Sequence, residues 1–169
     1  MNNDNTTFDF QDGNGPVPAH RHVNGGGWVA DTATVADTAY VGAAAKVHGY
    51  ALVCGNARVS GEAQVYGTAH VYGTAQVYDR ARVSGEALVY GTAQVYGDSE
   101  VYENAKVYEN AKVYGTAQVY GDSEVCGNAC VHGDAKVHGD AWVYGRAKVY
   151  GESRVCGDAK VYGGVLGEK

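Results

Sequence analysis

The stretch Val65-Tyr66-Gly67-Thr68-Ala69-His70 is followed at once by Val71-Tyr72-Gly73-Thr74-Ala75-Gln76, and the same six-residue unit, V-Y-G-x-A-x, runs in both directions from it. Valine recurs at every sixth position from Val29 through Val35, Val41 and Val47 to Val155 and Val161. Six is an even multiple of the two-residue strand period, so these valines point to one side of short strands, whereas a helix would scatter them around its axis. Ala or Ser two residues before the valine, as in Ala63, Ala69, Ser99 and Ser123, shares that direction. Glycine two residues after it, as in Gly55, Gly61, Gly67 and Gly73, marks a turn whose backbone conformation a Cβ opposes. The predicted unit is therefore short strand, glycine corner, short strand. A repeat this small buries its apolar edge only by stacking on its neighbours.

The rest of the composition agrees. In 169 residues the apolar share is mostly Val, Ala and Tyr, with 25 glycines and only two phenylalanines, which suits a thin core of small side chains. The net charge of -6 comes from acids and bases interspersed along the chain, so no basic face exists to neutralise phosphates and direct nucleic-acid binding is not expected. The amino terminus, MNNDNTTFDF, reads as polar and without a secretory signal, and no run of eighteen apolar residues predicts a membrane helix. Cys54, Cys126, Cys130 and Cys156 show no disulfide or metal spacing, and they read as free thiols of a cytoplasmic protein.

Through its unbroken hexads, residues 29 to 163, the chain resembles the hexapeptide-repeat family. That resemblance implies an all-β fold: a single-stranded, left-handed parallel β-helix of triangular section, with three hexads per coil. In the family's commonest form glycine directly follows the aliphatic residue; here tyrosine holds that place and glycine comes one later. In this the chain is similar to V-Y-G-x-A-x arrays of uncharacterised bacterial and phage proteins. Eighteen residues per coil predict about seven coils and columns of identical residues at the strand spacing of about 4.8 Å. Residues 1–28 break the pattern and read as an N-terminal cap, with Phe8, Phe10, Pro16, Pro18 and Trp28 covering the first coil. Residues 164–169 form a short tail in which Val165 and Leu166 cover little, leaving the carboxyl end open to another chain.

The family's enzymes are acyl-coenzyme A-dependent transferases that resemble one another in a catalytic histidine on or near a protruding loop. A valine register without a slip leaves no such loop, so no catalytic residue and no cofactor is expected. His48, His70, His132 and His138 take outward positions, where they read as solvated or interface residues. The γ-class carbonic anhydrases are a second resemblance, implying zinc held by three histidines from stacked coils and a neighbouring subunit. Here no outward histidines stack within a short reach. His20 and His22 in the cap have the spacing of two metal ligands, although an exposed loop is the plainer reading of that pair. Ice binding would need Thr-x-Thr ladders, and Thr68, Thr74, Thr92 and Thr116 sit at corners instead. Asp98, Asp122, Asp134, Asp140 and Asp158 also fall at corners and read as turn formers, not as a mimic of a nucleic-acid backbone.

What remains is the outer surface. Of the three predicted faces, the most apolar carries Leu52, His70, Tyr72, Leu88, Tyr90, Tyr108, Trp142 and Tyr144. Its tyrosines form stacked ladders that stabilise neighbouring strands, and the same residues suit an interface. The expected function is a non-catalytic structural or protein-interaction β-helix that self-associates as a side-by-side trimer or an end-to-end stack. The alternatives are a hexapeptide-type acyltransferase and a phage or prophage inhibitor that occludes a host protein.

Overall fold

A computed structural model describes residues 6–167 of the chain. Among them every regular element is a strand, and from Trp28 to Leu166 the strands wind into three parallel sheets. Each coil contributes one strand to each sheet, and eighteen residues separate paired positions, as in His70↔Leu88 and Val71↔Val89, Gln76↔Gln94 and Arg82↔Glu100. We name the faces after central residues: the Leu88 face, the Gln94 face and the Arg82 face. The chain is an all-β parallel solenoid of eight coils.

The strands are mostly two residues long because a tight corner, at most of them a glycine, follows each one. Gly67 has a φ of 69°, and a Cβ there would lie 3.0 Å from the Gly85 nitrogen one coil on. Three corners take the left-handed conformation without glycine: Asp79, Glu103 and Glu109 adopt φ of 59°, 59° and 57°. Two of them gain something in return, since the Asp79 carboxylate accepts the Gly97 N–H at 3.2 Å and that of Glu103 the Gly121 N–H at 2.8 Å. Between strands the outward amides bond to the next coil: Gln94 N donates to Ala111 O at 3.0 Å and Tyr96 N to Val113 O at 3.0 Å.

Inside the triangle run columns of Val over Val and Ala over Ala, fully buried from Val41 to Val149. Burial of each valine contributes about 1.5 to 3 kcal/mol. Ser99 and Ser123 replace alanine at two inward positions without leaving a polar atom unpaired. Their hydroxyls donate to Tyr96 O and Tyr120 O, each at 2.8 Å.

The amino-terminal segment departs from what the sequence suggests. Strands β1 (Thr7–Asp9) and β2 (Pro16–Arg21) form a hairpin, and β2 pairs antiparallel with β3 (Trp28–Ala30), the first strand of the Arg82 face. The aromatic side chains do not plug the valine core. Phe8 stacks on Trp28 at 4.4 Å and Phe10 on His48 at 4.7 Å, both outward residues, so the aromatics form a separate cluster on the outside of the Arg82 face. The first strand of the Gln94 face, Tyr40–Val41, is met instead by the turn before β3: Val41 N donates to Asn24 O at 3.0 Å and Gly27 N to Val41 O at 2.8 Å.

The carboxyl end also differs. Val165–Leu166 forms a strand that pairs with Lys148–Val149 and completes the eighth coil. Its partners are seventeen residues back, not eighteen, because the Gly163–Gly164 corner is one residue shorter than the others. Tyr162 and Val165 are largely exposed there, and Leu166 partly so.

Candidate functional site

The Leu88 face is built of two outward rows. The first runs Leu52, His70, Leu88, Lys106, Glu124, Trp142 and Lys160, each paired with the next across the strands. The second, one position past each valine, runs Cys54, Tyr72, Tyr90, Tyr108, Cys126, Tyr144 and Tyr162. Strand pairing thus brings together all eight residues singled out on this face by the sequence. Tyr72 and Tyr90 stack at 4.9 Å with planes 2° apart, and Tyr90 and Tyr108 at 4.9 Å and 3°. Such pairs contribute about 0.5 to 1.5 kcal/mol each beyond simple burial.

The face is not uniformly apolar. Lys106 Nζ donates to Glu124 Oε1 at 2.9 Å and Tyr108 Oη to Glu124 Oε2 at 2.9 Å, so both carboxylate oxygens are taken. The hydrogen bond that Lys106 donates to Glu124 raises the pKa of its ammonium above the ordinary lysine value. Burial, with the hydrogen bonding of Cys126 and Glu124 behind it, pushes the Tyr108 hydroxyl far above a phenol's usual range. Below this polar knot Trp142 Nε1 donates to Cys126 Sγ at 3.3 Å and its ring lies 4.9 Å from Tyr144. Lys160 Nζ sits 5.7 Å from the indole centroid. Apolar surface is therefore split between Leu52 to Tyr90 and Trp142 to Tyr162. The Lys106–Glu124–Tyr108 knot and the Trp142–Cys126 contact join residues sixteen and eighteen positions apart, spacings already present in the sequence.

The other faces are more polar or already covered. The Gln94 face carries Arg58, Gln76, Gln94, Lys112 and Lys148 outward, and the hairpin lies on the first coils of the Arg82 face.

His20 and His22 have separate surroundings. His20 Nδ1 lies 2.8 Å from Asp31 Oδ1 in the open, whereas His22 is buried, with Nδ1 taking the Asn24 N–H at 3.3 Å. No group of three or more His, Cys, Asp or Glu side chains is arranged to hold a metal among the described residues. His48, expected at the surface, is buried: it lies between the Phe10 and Tyr66 rings, and its Nε2 has no hydrogen-bond partner. Its burial there holds its pKa below the usual histidine value, although Asp12 Oδ2 at 3.4 Å works in the other direction. His132 continues a tyrosine column, 4.7 Å from Tyr114 and 5.2 Å from Tyr150, and is likewise lowered, by burial first and then by Lys148. Between Val29 and Val161 the hexads follow one another without an insertion long enough to form a loop over the faces. No helix among the described residues is long and apolar enough to cross a membrane.

Comparison with known proteins agrees with this architecture. No curated protein and no solved structure matches the chain. Over residues 51–67 and 75–91, each one residue short of a full coil, the chain is similar to the YdcK beta solenoid repeat family.

Proposed function

We propose that this chain is a non-catalytic solenoid that works through its outer surface, and that copies of it associate side by side through the Leu88 face. The observation that carries this reading is the distribution of apolar side chains. Leu52, Leu88 and Trp142 are outward, half-buried and on one face, while the strand rows of the neighbouring faces are mostly charged or amide side chains. Aromatic and large aliphatic residues gathered on one surface favour a protein partner. The Lys106–Glu124 pair in the middle of that face supplies polar groups that fix the register of two apposed copies. In this reading the winding is left-handed, as the hexapeptide resemblance implies, and the turn before β3 serves as the amino-terminal cap.

The eighth coil offers a second route, because Tyr162, Val165 and Leu166 are exposed on a coil whose outer strand edges are unpaired among the described residues. Light scattering separates the routes. Leu88→Lys combined with Trp142→Lys turns an oligomer into a monomer if the face is the interface, and a charged, proline-bearing extension after Lys169 does so if the end is. An unmodified chain that stays monomeric at high concentration overturns both.

A further inference from the structure

The aromatic column on the Arg82 face has a gap. It runs His48, Tyr66, Ser84, Tyr102, Tyr120, His138 at eighteen-residue steps. His48 stacks on Tyr66 at 5.0 Å with planes 9° apart, and Tyr102 stacks on Tyr120 at 4.8 Å and 4°. Between these stacks stands only the small side chain of Ser84. Two coil rises separate the Tyr66 and Tyr102 rings, about 9.6 Å, which is twice the ordinary stacking distance in this column. Tyr66, Arg82, Ser84, Glu100 and Tyr102 line a groove of about 230 Å³ at this point, half open to solvent.

The molecule contains a control for this gap. On the Leu88 face Cys126 interrupts the tyrosine column in the same way, between Tyr108 and Tyr144. There the residue sixteen positions on, Trp142, leans over the gap and donates to the thiol, and Cys126 is buried. At Ser84 the residue sixteen positions on is Glu100. Its carboxylate is held along its own row, accepting from Arg82 Nη1 at 3.0 Å and from Gln118 Nε2 at 3.2 Å. It does not close the gap, and Ser84 stays partly exposed. Ser60, the comparable small residue on the Gln94 face, has Tyr78 on one side and Gly42 on the other, so it lacks a second wall.

We infer that the gap over Ser84 is a binding slot for one planar phenol-type ring of a small aromatic ligand. Tyr66 and Tyr102 sandwich the ring, the Ser84 hydroxyl forms the floor, and Arg82 and Glu100 at the mouth meet a polar substituent. Two offset-stacked contacts and exclusion of water from both tyrosine faces favour occupancy. The site lies on a different face from the proposed interface and does not depend on self-association.

The test is a titration of the full chain with p-cresol, followed by amide NMR shifts. Saturable shifts at Tyr66, Ser84 and Tyr102 in the millimolar range are expected. Ser84→Tyr, which fills the column, and Glu100→Trp, which places an indole where Trp142 sits in the other gap, should each weaken binding by about tenfold or more. Ser84→Ala, which keeps the slot open, should retain it. If one closing variant fails to fold, the other still decides the matter. Absence of saturable shifts in the unmodified chain, or unchanged affinity in a folded closing variant, overturns the assignment.

Discussion

The indole N–H of Trp142 points at the sulfur of Cys126, 3.3 Å away, and the ring covers a break in the tyrosine column that would otherwise expose the thiol. Removing the ring should therefore unmask a reactive group. In a background with Cys54, Cys130 and Cys156 changed to serine, Cys126 is expected to resist a thiol reagent, and Trp142→Ala to make it react readily. The same substitution should cost about 1 to 2 kcal/mol, since the indole is only half-buried. A thiol equally reactive in both proteins would show that the ring does not shield it.

Val95 sits in the middle of the valine columns and is fully buried. Val95→Asp places a carboxylate among apolar side chains with no partner, and should cost about 4 kcal/mol or more. Circular dichroism against temperature checks this: an unchanged midpoint contradicts the inward assignment.

The left-handed corners without glycine should respond unequally to receiving one. Glu109→Gly relieves a left-handed backbone and should stabilise the chain by up to about 1 kcal/mol, the gain being limited by the greater freedom of glycine in the unfolded state. Glu103→Gly also loses the hydrogen bond that its carboxylate accepts from Gly121 N–H, worth about 1 kcal/mol. It should therefore be close to neutral. Urea midpoints of the two variants give the comparison, and equal gains would assign no value to that bond.

Acid should destabilise the molecule through two of its histidines. Burial lowers the pKa of His48 and of His132 in the folded chain. The unfolded chain then takes up protons first as pH falls below about 6.5. The stability is complete above that value and is lost as pH falls from it through the lowered folded values. His48→Phe removes one titrating ring and an unpartnered nitrogen, and His132→Tyr completes a tyrosine column. The double variant should show a flatter melting temperature between about pH 7.5 and 5.5. A slope equal to that of the unmodified chain would place the acid sensitivity elsewhere.

Wherever translation by eighteen residues holds, the sequence could be read directly: Val71, Val89 and Val107 face inward, Gly67 turns, and Leu52, His70 and Leu88 meet on one face. The departures all lie where that translation fails. Phe10 covers His48 from a hairpin thirty-eight residues away in sequence, a contact with no period to announce it. The last strand is out of step by one residue, because two successive glycines shorten the corner before it. Trp142 reaches Cys126 along a diagonal, so a reading by columns sees a tryptophan and a cysteine in separate rows. The polar knot of Lys106, Glu124 and Tyr108 escapes for the same reason, since Tyr108 and Glu124 belong to different rows.

Because the outward amides of each coil bond to the coil that follows, the solenoid can change height only in whole rungs. Excising or duplicating the eighteen residues from Gly67 to Ser84 would remove or add one rung of about 4.8 Å. Later residues would stay on their own faces, and only the contacts at the splice would be exchanged. A change of six residues would keep valine inside yet carry all later outer residues round to the next side of the triangle. A chain of this kind can therefore lengthen by whole coils without redesign of its core.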